Sequence, residues 1–121
     1  MTSPALQTAL AYHRAWTGKD LDAAMGYLAE DVVCDAPAGR IEGIDAYRQF
    51  LAPFAEQFLI RANLIAAFGD DTTALLMYDT ETIPAVSAPA AECVTVRAGK
   101  IVYNRFVFDR TPFEEFRRRR S

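Results

Sequence analysis

The sequence predicts an α+β domain in which three helices pack on one face of a curved antiparallel sheet. Two observations carry the prediction. In the first half of the chain, apolar residues recur at helical spacing, at Leu6, Ala9, Leu10 and Trp16 and again at Tyr47, Phe50, Leu51 and Phe54. From Phe58 onward, four stretches rich in β-branched and aromatic residues follow one another, divided by short breakers. Helices gathered first and strands gathered last are the pattern of segregated layers.

Each element has its own signal. Ser3 before Pro4 reads as an N-cap with proline at the first helical position. "TGKD" ends that helix, and Asp20 is placed to cap the next, "LDAAMGYLAE". "DVVCDAP" reads as a short strand and "AGRIEG" as a turn with a second one, before the third helix opens at Ile44. The four later strands are "FLIRANLIAAF", "TTALLMYDTET", "AECVTVR" and "KIVYNRFVFD", joined as a meander through "GDD", "IPAVSAPA" and "AGK". Pro84 and Pro89 mark "IPAVSAPA" as loop rather than central strand.

At 121 residues the chain has room for one domain, residues 1–121, and buries about two-thirds of its unfolded surface. The formal charge is −3, but without the run Arg117–Arg120 nine basic residues face sixteen acidic ones, leaving −7. An acidic body speaks against nucleic acid or an anionic membrane as partner. Arg117–Arg120 then reads as a solvated tail, 117–121. Cys34 and Cys93 do not form a disulfide framework, and no Cys or His spacing fits zinc. With neither a membrane-spanning run nor a signal-peptide pattern, the expected setting is a reducing cytoplasm.

"ALLMYDTET" poses the sharpest question. Asp79 and Glu81 stand two apart, so in a strand they share one face. Either both point into water beyond the sheet, or both point inward with Leu75 and Met77. His13, the sole histidine, falls on the apolar stripe of the first helix, where it either packs or pairs with an acid. Tyr12 and Trp16 form an aromatic ledge on that helix.

"LAEDVVCDAPAGRIEGIDAYRQF" and "VTVRAGKIVYNRFVFDRTPFEEF" resemble the SnoaL-like branch of the nuclear transport factor 2-like superfamily, from roughly Ala11 to Phe116. That branch includes polyketide cyclases, ketosteroid isomerases and limonene epoxide hydrolases, and the fold also serves noncatalytic binding modules. The resemblance implies a cone: a bent sheet wrapped around a pocket that the helices close. It places Cys34 and Ala36 where isomerases carry the catalytic aspartate and hydrolases a polar pair, so the isomerase base is missing. Asp35 lies on the opposite strand face. Asp79 and Glu81 fall where hydrolases supply an arginine and an aspartate, and Phe106 falls on their last aspartate. Glu92 lies near the second, protonated aspartate of the isomerases.

On this register Asp79, Glu81 and His13 are the candidate catalytic groups, as an acid pair split in pKa with a neighbouring imidazole. Tyr12, Trp16, Cys34 and Glu92 are candidate ligand contacts, Cys34 more simply a buried structural thiol. Tyr47, Phe50 and Phe54 on the third helix, and Phe106 and Phe108 on the last strand, build the core, and some of them line the pocket. Asn104 shares their strand face as a polar anchor at the rim. The implied function is binding of a small apolar molecule with acid/base isomerisation, cyclisation or hydration. The alternative is a noncatalytic ligand-binding or dimerisation module. No cofactor or metal is implied. The alternate strand faces, Leu76, Tyr78, Tyr103 and Val107, need a cover, and the resemblance implies a homodimer packed sheet to sheet.

Overall fold

The computed structural model describes residues 3–83, 86–109, 111, 114, 115 and 118, with Val86 described by its backbone alone. Pro84 and most of the basic tail lie outside the described residues. Helix α1 runs Pro4–Thr17 with proline in its first turn, but Ser3 does not cap it. The Ser3 hydroxyl instead donates to the Gly69 carbonyl at 2.9 Å, tying the start of the helix to the far end of the sheet. Helix α2, Leu21–Met25, is capped as expected: the Asp20 carboxylate accepts from the Ala23 N–H at 3.1 Å. Helix α3, Ile44–Pro53, ends in one wide π-helical turn, Phe54–Phe58. Among the described residues no helix is long and apolar enough to cross a membrane.

Strands β1 (Leu28–Ala36), β2 (Gly39–Glu42), β3 (Leu59–Gly69), β4 (Thr73–Thr82), β5 (Val86–Arg97) and β6 (Lys100–Phe108) form one curved sheet in the order β2-β1-β6-β5-β4-β3. The last four make the expected meander, and the α+β architecture with three helices stands. The sheet is mixed rather than wholly antiparallel, because β1 runs parallel to β6, with Cys34 opposite Asn104. Nothing in the sequence near either strand encodes that long-range pairing. Two-residue geometry sets the β5–β6 hairpin: Ala98 and Gly99 both take positive φ, 52° and 76°, as a tight turn between Arg97 and Lys100 demands.

Two expectations need correction. First, β5 begins at Val86, so "VSAPA" is strand and not loop. Pro89 pairs with Asp79 of β4, while its carbonyl accepts from the Asp109 N–H at 3.2 Å. The missing proline N–H therefore faces the β6 side, where that strand ends at Phe108, and the β4 ladder loses nothing. Second, β4 is turned by one residue from the expected register. Ala74, Leu76, Tyr78, Thr80 and Thr82 are buried, whereas Leu75, Met77 and Asp79 are exposed and Glu81 is half-exposed. A one-residue slip moves every side chain to the other face. Leu76 and Tyr78 thus belong to the core, and of the four residues expected outside, Tyr103 and Val107 remain there.

The core lies between the inner sheet face and the helices. Ala5, Ala9, Tyr12, His13 and Trp16 form the buried stripe of α1, packed over Leu76, Tyr78, Val94 and Ile101. Close approach at the start of α1 requires glycine at 69. A Cβ there would meet the Thr73 carbonyl oxygen at 2.9 Å and the Leu6 Cβ at 3.1 Å. Gly69→Ala should therefore cost about 1–3 kcal/mol through forced displacement. Its denaturant midpoint should fall with an unchanged m-value; an unshifted midpoint refutes that tight contact.

Candidate functional site

A cavity of ≈ 70 Å³ opens between the helices and the far half of the sheet. Its helical wall is Tyr12 and Trp16 from α1, Tyr47, Phe50 and Leu51 from α3, and Phe54 from the π-helical turn. The sheet wall is Tyr78, Thr80, Ala90, Glu92, Phe106 and Phe108. Eight expected contacts therefore converge on one space: Tyr12, Trp16, Tyr47, Phe50, Phe54, Glu92, Phe106 and Phe108. Alternation explains the sheet side, since Glu92 pairs with Phe106 and Ala90 with Phe108, all on the inner face. Half-buried Phe50, Phe54, Phe106 and Phe108 form an aromatic rim, with the Phe50 and Phe106 rings 6.1 Å apart and Phe106 and Phe108 5.3 Å apart.

The polar end of the cavity is a chain of five buried side chains. Tyr12 and Tyr47 share a hydroxyl hydrogen bond of 2.6 Å. The Asn104 amide donates to the Tyr47 hydroxyl at 2.8 Å and to Glu92 Oε1 at 2.7 Å. The Tyr78 hydroxyl lies 2.7 Å from Glu92 Oε2 and donates to it. Burial pushes the Glu92 carboxyl above its ordinary pKa, outweighing the opposing hydrogen bonds from Asn104 and Tyr78. Burial, reinforced by the Glu92 charge, likewise raises Tyr47 and Tyr78, and burial with the neighbouring Tyr47 raises Tyr12, so all three phenols keep their protons. With Glu92 ionised, Tyr78 donates to it. With Glu92 protonated, the bond reverses and the Tyr78 hydrogen is free for an acceptor in the cavity. One proton can thus be held or released at this wall.

The remaining candidates lie elsewhere. Asp79 is exposed, and Glu81 forms a 2.9 Å surface ion pair with Arg61. Neither belongs to the cavity, so the catalytic pair expected from "YDTET" is corrected: two inward carboxylates with no cation would have paid a large desolvation cost, and the strand turns them out. His13 is buried 4.6 Å from the Tyr78 ring but does not line the cavity, and among the described residues no acid partners it. Burial first, and Arg14 second, lower its pKa to about 4, so it is a neutral packing group and not a proton shuttle near neutrality. Cys34 is wholly buried beneath the cavity, its thiol pushed up to about 12 chiefly by burial. Asn104 is 1% exposed, a deep hydrogen-bonding strut and not a rim anchor. Asp35 does face outward, held by Arg40 at 2.9 Å and by the Tyr103 hydroxyl at 2.6 Å.

Tyr78 is the wall residue that the sequence reading placed on the wrong face. Its signal lies in "TALLMYDTET": the register that buries Tyr78, Thr80 and Thr82 hides hydroxyls, each of which one partner can satisfy, while the other hides two charges. Among the described residues no group of three or more His, Cys, Asp or Glu gathers as a metal site.

The family model of the SnoaL-like domain matches residues 9–104. A crystal structure of a protein from Kribbella flavida DSM 17836 is 58% identical, with a TM-score of 0.94 over 98% of both chains. An NTF2-like protein of unknown function from Cytophaga hutchinsonii ATCC 33406 is 19% identical, with a TM-score of 0.80 over 94% of this chain and 97% of its own. A candidate polyketide cyclase from Xanthomonas campestris pv. campestris is 24% identical, with a TM-score of 0.76 over 93% of each chain. No curated protein matches the sequence. The match over most of its length makes this chain a member of the SnoaL-like domain family.

Proposed function

We propose that this chain binds a small, mainly apolar molecule bearing a carbonyl or enol oxygen, and that Glu92 with Tyr78 performs acid/base chemistry on it. The supporting observation is Glu92 itself, among the described residues the one carboxyl on the cavity wall, 4% exposed and bonded to Tyr78 and Asn104. A protonated carboxyl beside a tyrosine hydroxyl is the donor pair that stabilises an enolate oxygen in ketosteroid isomerase. Similarity in fold to a candidate polyketide cyclase is compatible with a cyclisation or isomerisation. The cavity of ≈ 70 Å³ has room for about two waters, so a ligand enters by displacing the phenylalanine rim.

Noncatalytic binding is the second reading, and one observation favours it: Ala36 stands at the position that resemblance gives to the isomerase base. Trp16, the sole tryptophan, reports on both readings because it lines the cavity. Titration with small aryl ketones should give a saturable change in its emission. Filling the cavity with Ala90→Phe should abolish that change, and persistence in the filled variant counts against the site.

The same proposal includes a homodimer formed through the outer sheet face. Phe68, Leu75, Met77 and Val107 are 71%, 49%, 46% and 49% exposed. Pairings of Phe68 with Leu75, Met77 with Ala91, and Ala91 with Val107 join them into one stripe across β3–β6. Sedimentation at micromolar concentration should give a dimer, and Met77→Asp a monomer. A monomeric wild-type protein would remove this part of the proposal. Cys34 and Cys93 are both free thiols, which suits a reducing cytoplasm.

A further inference from the structure

A second hollow, a recess of ≈ 350 Å³, lies at the end of β1 and β6 and shares Phe106 with the cavity. Phe106 borders both spaces, and with Ala36, which continues the inward face of β1 from Cys34, it is the inward-facing lining of the recess. The two spaces differ in chemistry. Among the described residues the cavity wall holds no cation, whereas the recess holds Arg40, Arg105 and Asp35.

The charges in the recess do not cancel. Arg40 grips Asp35 with two bonds, Nε to Oδ1 at 2.9 Å and Nη2 to Oδ2 at 3.0 Å, and the Tyr103 hydroxyl donates to the same Oδ2 at 2.6 Å. Asp35 is therefore fully engaged. Arg105, by contrast, has a single contact of its own, Nε to the Tyr103 hydroxyl at 3.5 Å, and among the described residues no carboxylate lies within ion-pair distance of it. Arg105, next to Phe106 in β6 but on the outer sheet face with Asp35, presents an exposed guanidinium to the recess that Phe106 also lines, on a body whose charge is otherwise strongly negative. A guanidinium fork matches a carboxylate bidentately.

We propose that the recess is an anion subsite of the same binding site: the ligand is an apolar carboxylic acid whose body fills the cavity, passes Phe106, and places its carboxylate on Arg105. This rests on the reading that the cavity binds a small apolar molecule, and it narrows the ligand class to acids.

The test compares 3-phenylpropanoate with 4-phenylbutan-2-one, which replaces the carboxylate by an isosteric methyl ketone. Affinities are read from Trp16 emission at pH 7.5 for wild type and Arg105→Gln, with sedimentation of both proteins alongside. Wild type should bind the acid about tenfold more tightly than the ketone, as a charge-assisted bidentate contact predicts. Arg105→Gln should erase that preference while leaving the ketone affinity unchanged, and raised salt should weaken only the acid. Equal affinities, a preference for the ketone, or an acid preference that survives Arg105→Gln overturns the subsite and leaves the cavity reading intact. Arg105→Gln that weakens self-association with the acid preference unchanged assigns Arg105 to the dimer instead, and also overturns it. Saturable binding of neither compound overturns the cavity reading and the subsite together.

Discussion

Glu92→Gln should lower turnover of a cavity substrate by about 10²- to 10⁴-fold, the usual contribution of a positioned acid or base, while leaving the fold intact. Glutamine is nearly isosteric, its carbonyl can still accept from Asn104, and its amide can donate to the Tyr78 oxygen. What it lacks is the proton. Its effect on stability has a definite sign. Burial raises the native pKa of Glu92 above 4.5, so the folded state keeps a proton that the unfolded chain gives up. The Glu92 contribution to wild-type stability is fully present below about pH 4.5 and is lost as pH rises from there through the native pKa. The glutamine variant has no such fall, so it should equal or exceed wild type in thermal stability at pH 8. Glu92→Ala is the contrasting variant: it strands the Tyr78 and Asn104 donors, at about 1–3 kcal/mol for each unsatisfied group. Asp79→Asn with Glu81→Gln is the control, and should move stability by no more than about 0.5 kcal/mol and turnover not at all, because both groups lie at the surface. Full turnover in Glu92→Gln removes the catalytic assignment and leaves a binding protein.

The contrast between Glu92 and the Asp79–Glu81 pair shows where the sequence could and could not be read. Elements whose two faces differ were legible. The stripe Ala9, Tyr12, Trp16 on α1, and Tyr47 with Leu51 on α3, face the core as their spacing requires. Strand β6 keeps the expected register, with Asn104, Phe106 and Phe108 inward. Strand β4 was not, because both of its faces are apolar: the inner face packs on helices, and the outer carries Leu75 and Met77 into an exposed stripe. On such a strand hydrophobicity cannot choose the register, and the cost of burying charge decides. Pro89 misled for a topological reason, since its tolerance depends on where β6 ends. The site was therefore half legible. Its aromatic residues and Glu92 were placed on the inner face, but Tyr78, which donates to Glu92, takes its face from the register of β4 against β5.

His13→Leu should change the acid limb of stability most. The imidazole packs edge-on to Trp16 at 5.8 Å and tilted on Tyr78 at 4.6 Å, with its Nδ1 unpartnered among the described residues. Burial holds its native pKa at about 4, against 6.5 for an ordinary histidine. The unfolded chain therefore takes up a proton that the native state refuses, so stability present at pH 7 is lost as pH falls from 6.5 to 4. At 1.36 kcal/mol per pKa unit the full loss is about 3 kcal/mol. Asp35, held down to about 2 mainly by Arg40, acts below this window. Glu92 acts within it with the opposite slope, stability falling as pH rises above 4.5. Above pH 4.5 the two slopes oppose each other, so the wild type should lose less stability on acidification than the His13 contribution alone would take. His13→Leu should uncover the Glu92 slope, Glu92→Gln should steepen the acid limb that belongs to His13, and the double variant should lose both slopes. Denaturant midpoints at half-unit steps of pH resolve all three. An imidazole that titrates near 6.5 in the folded protein by proton NMR, or a His13→Leu variant with an unaltered pH profile, would show that the histidine is hydrated and would return it to the list of groups able to move protons near neutrality.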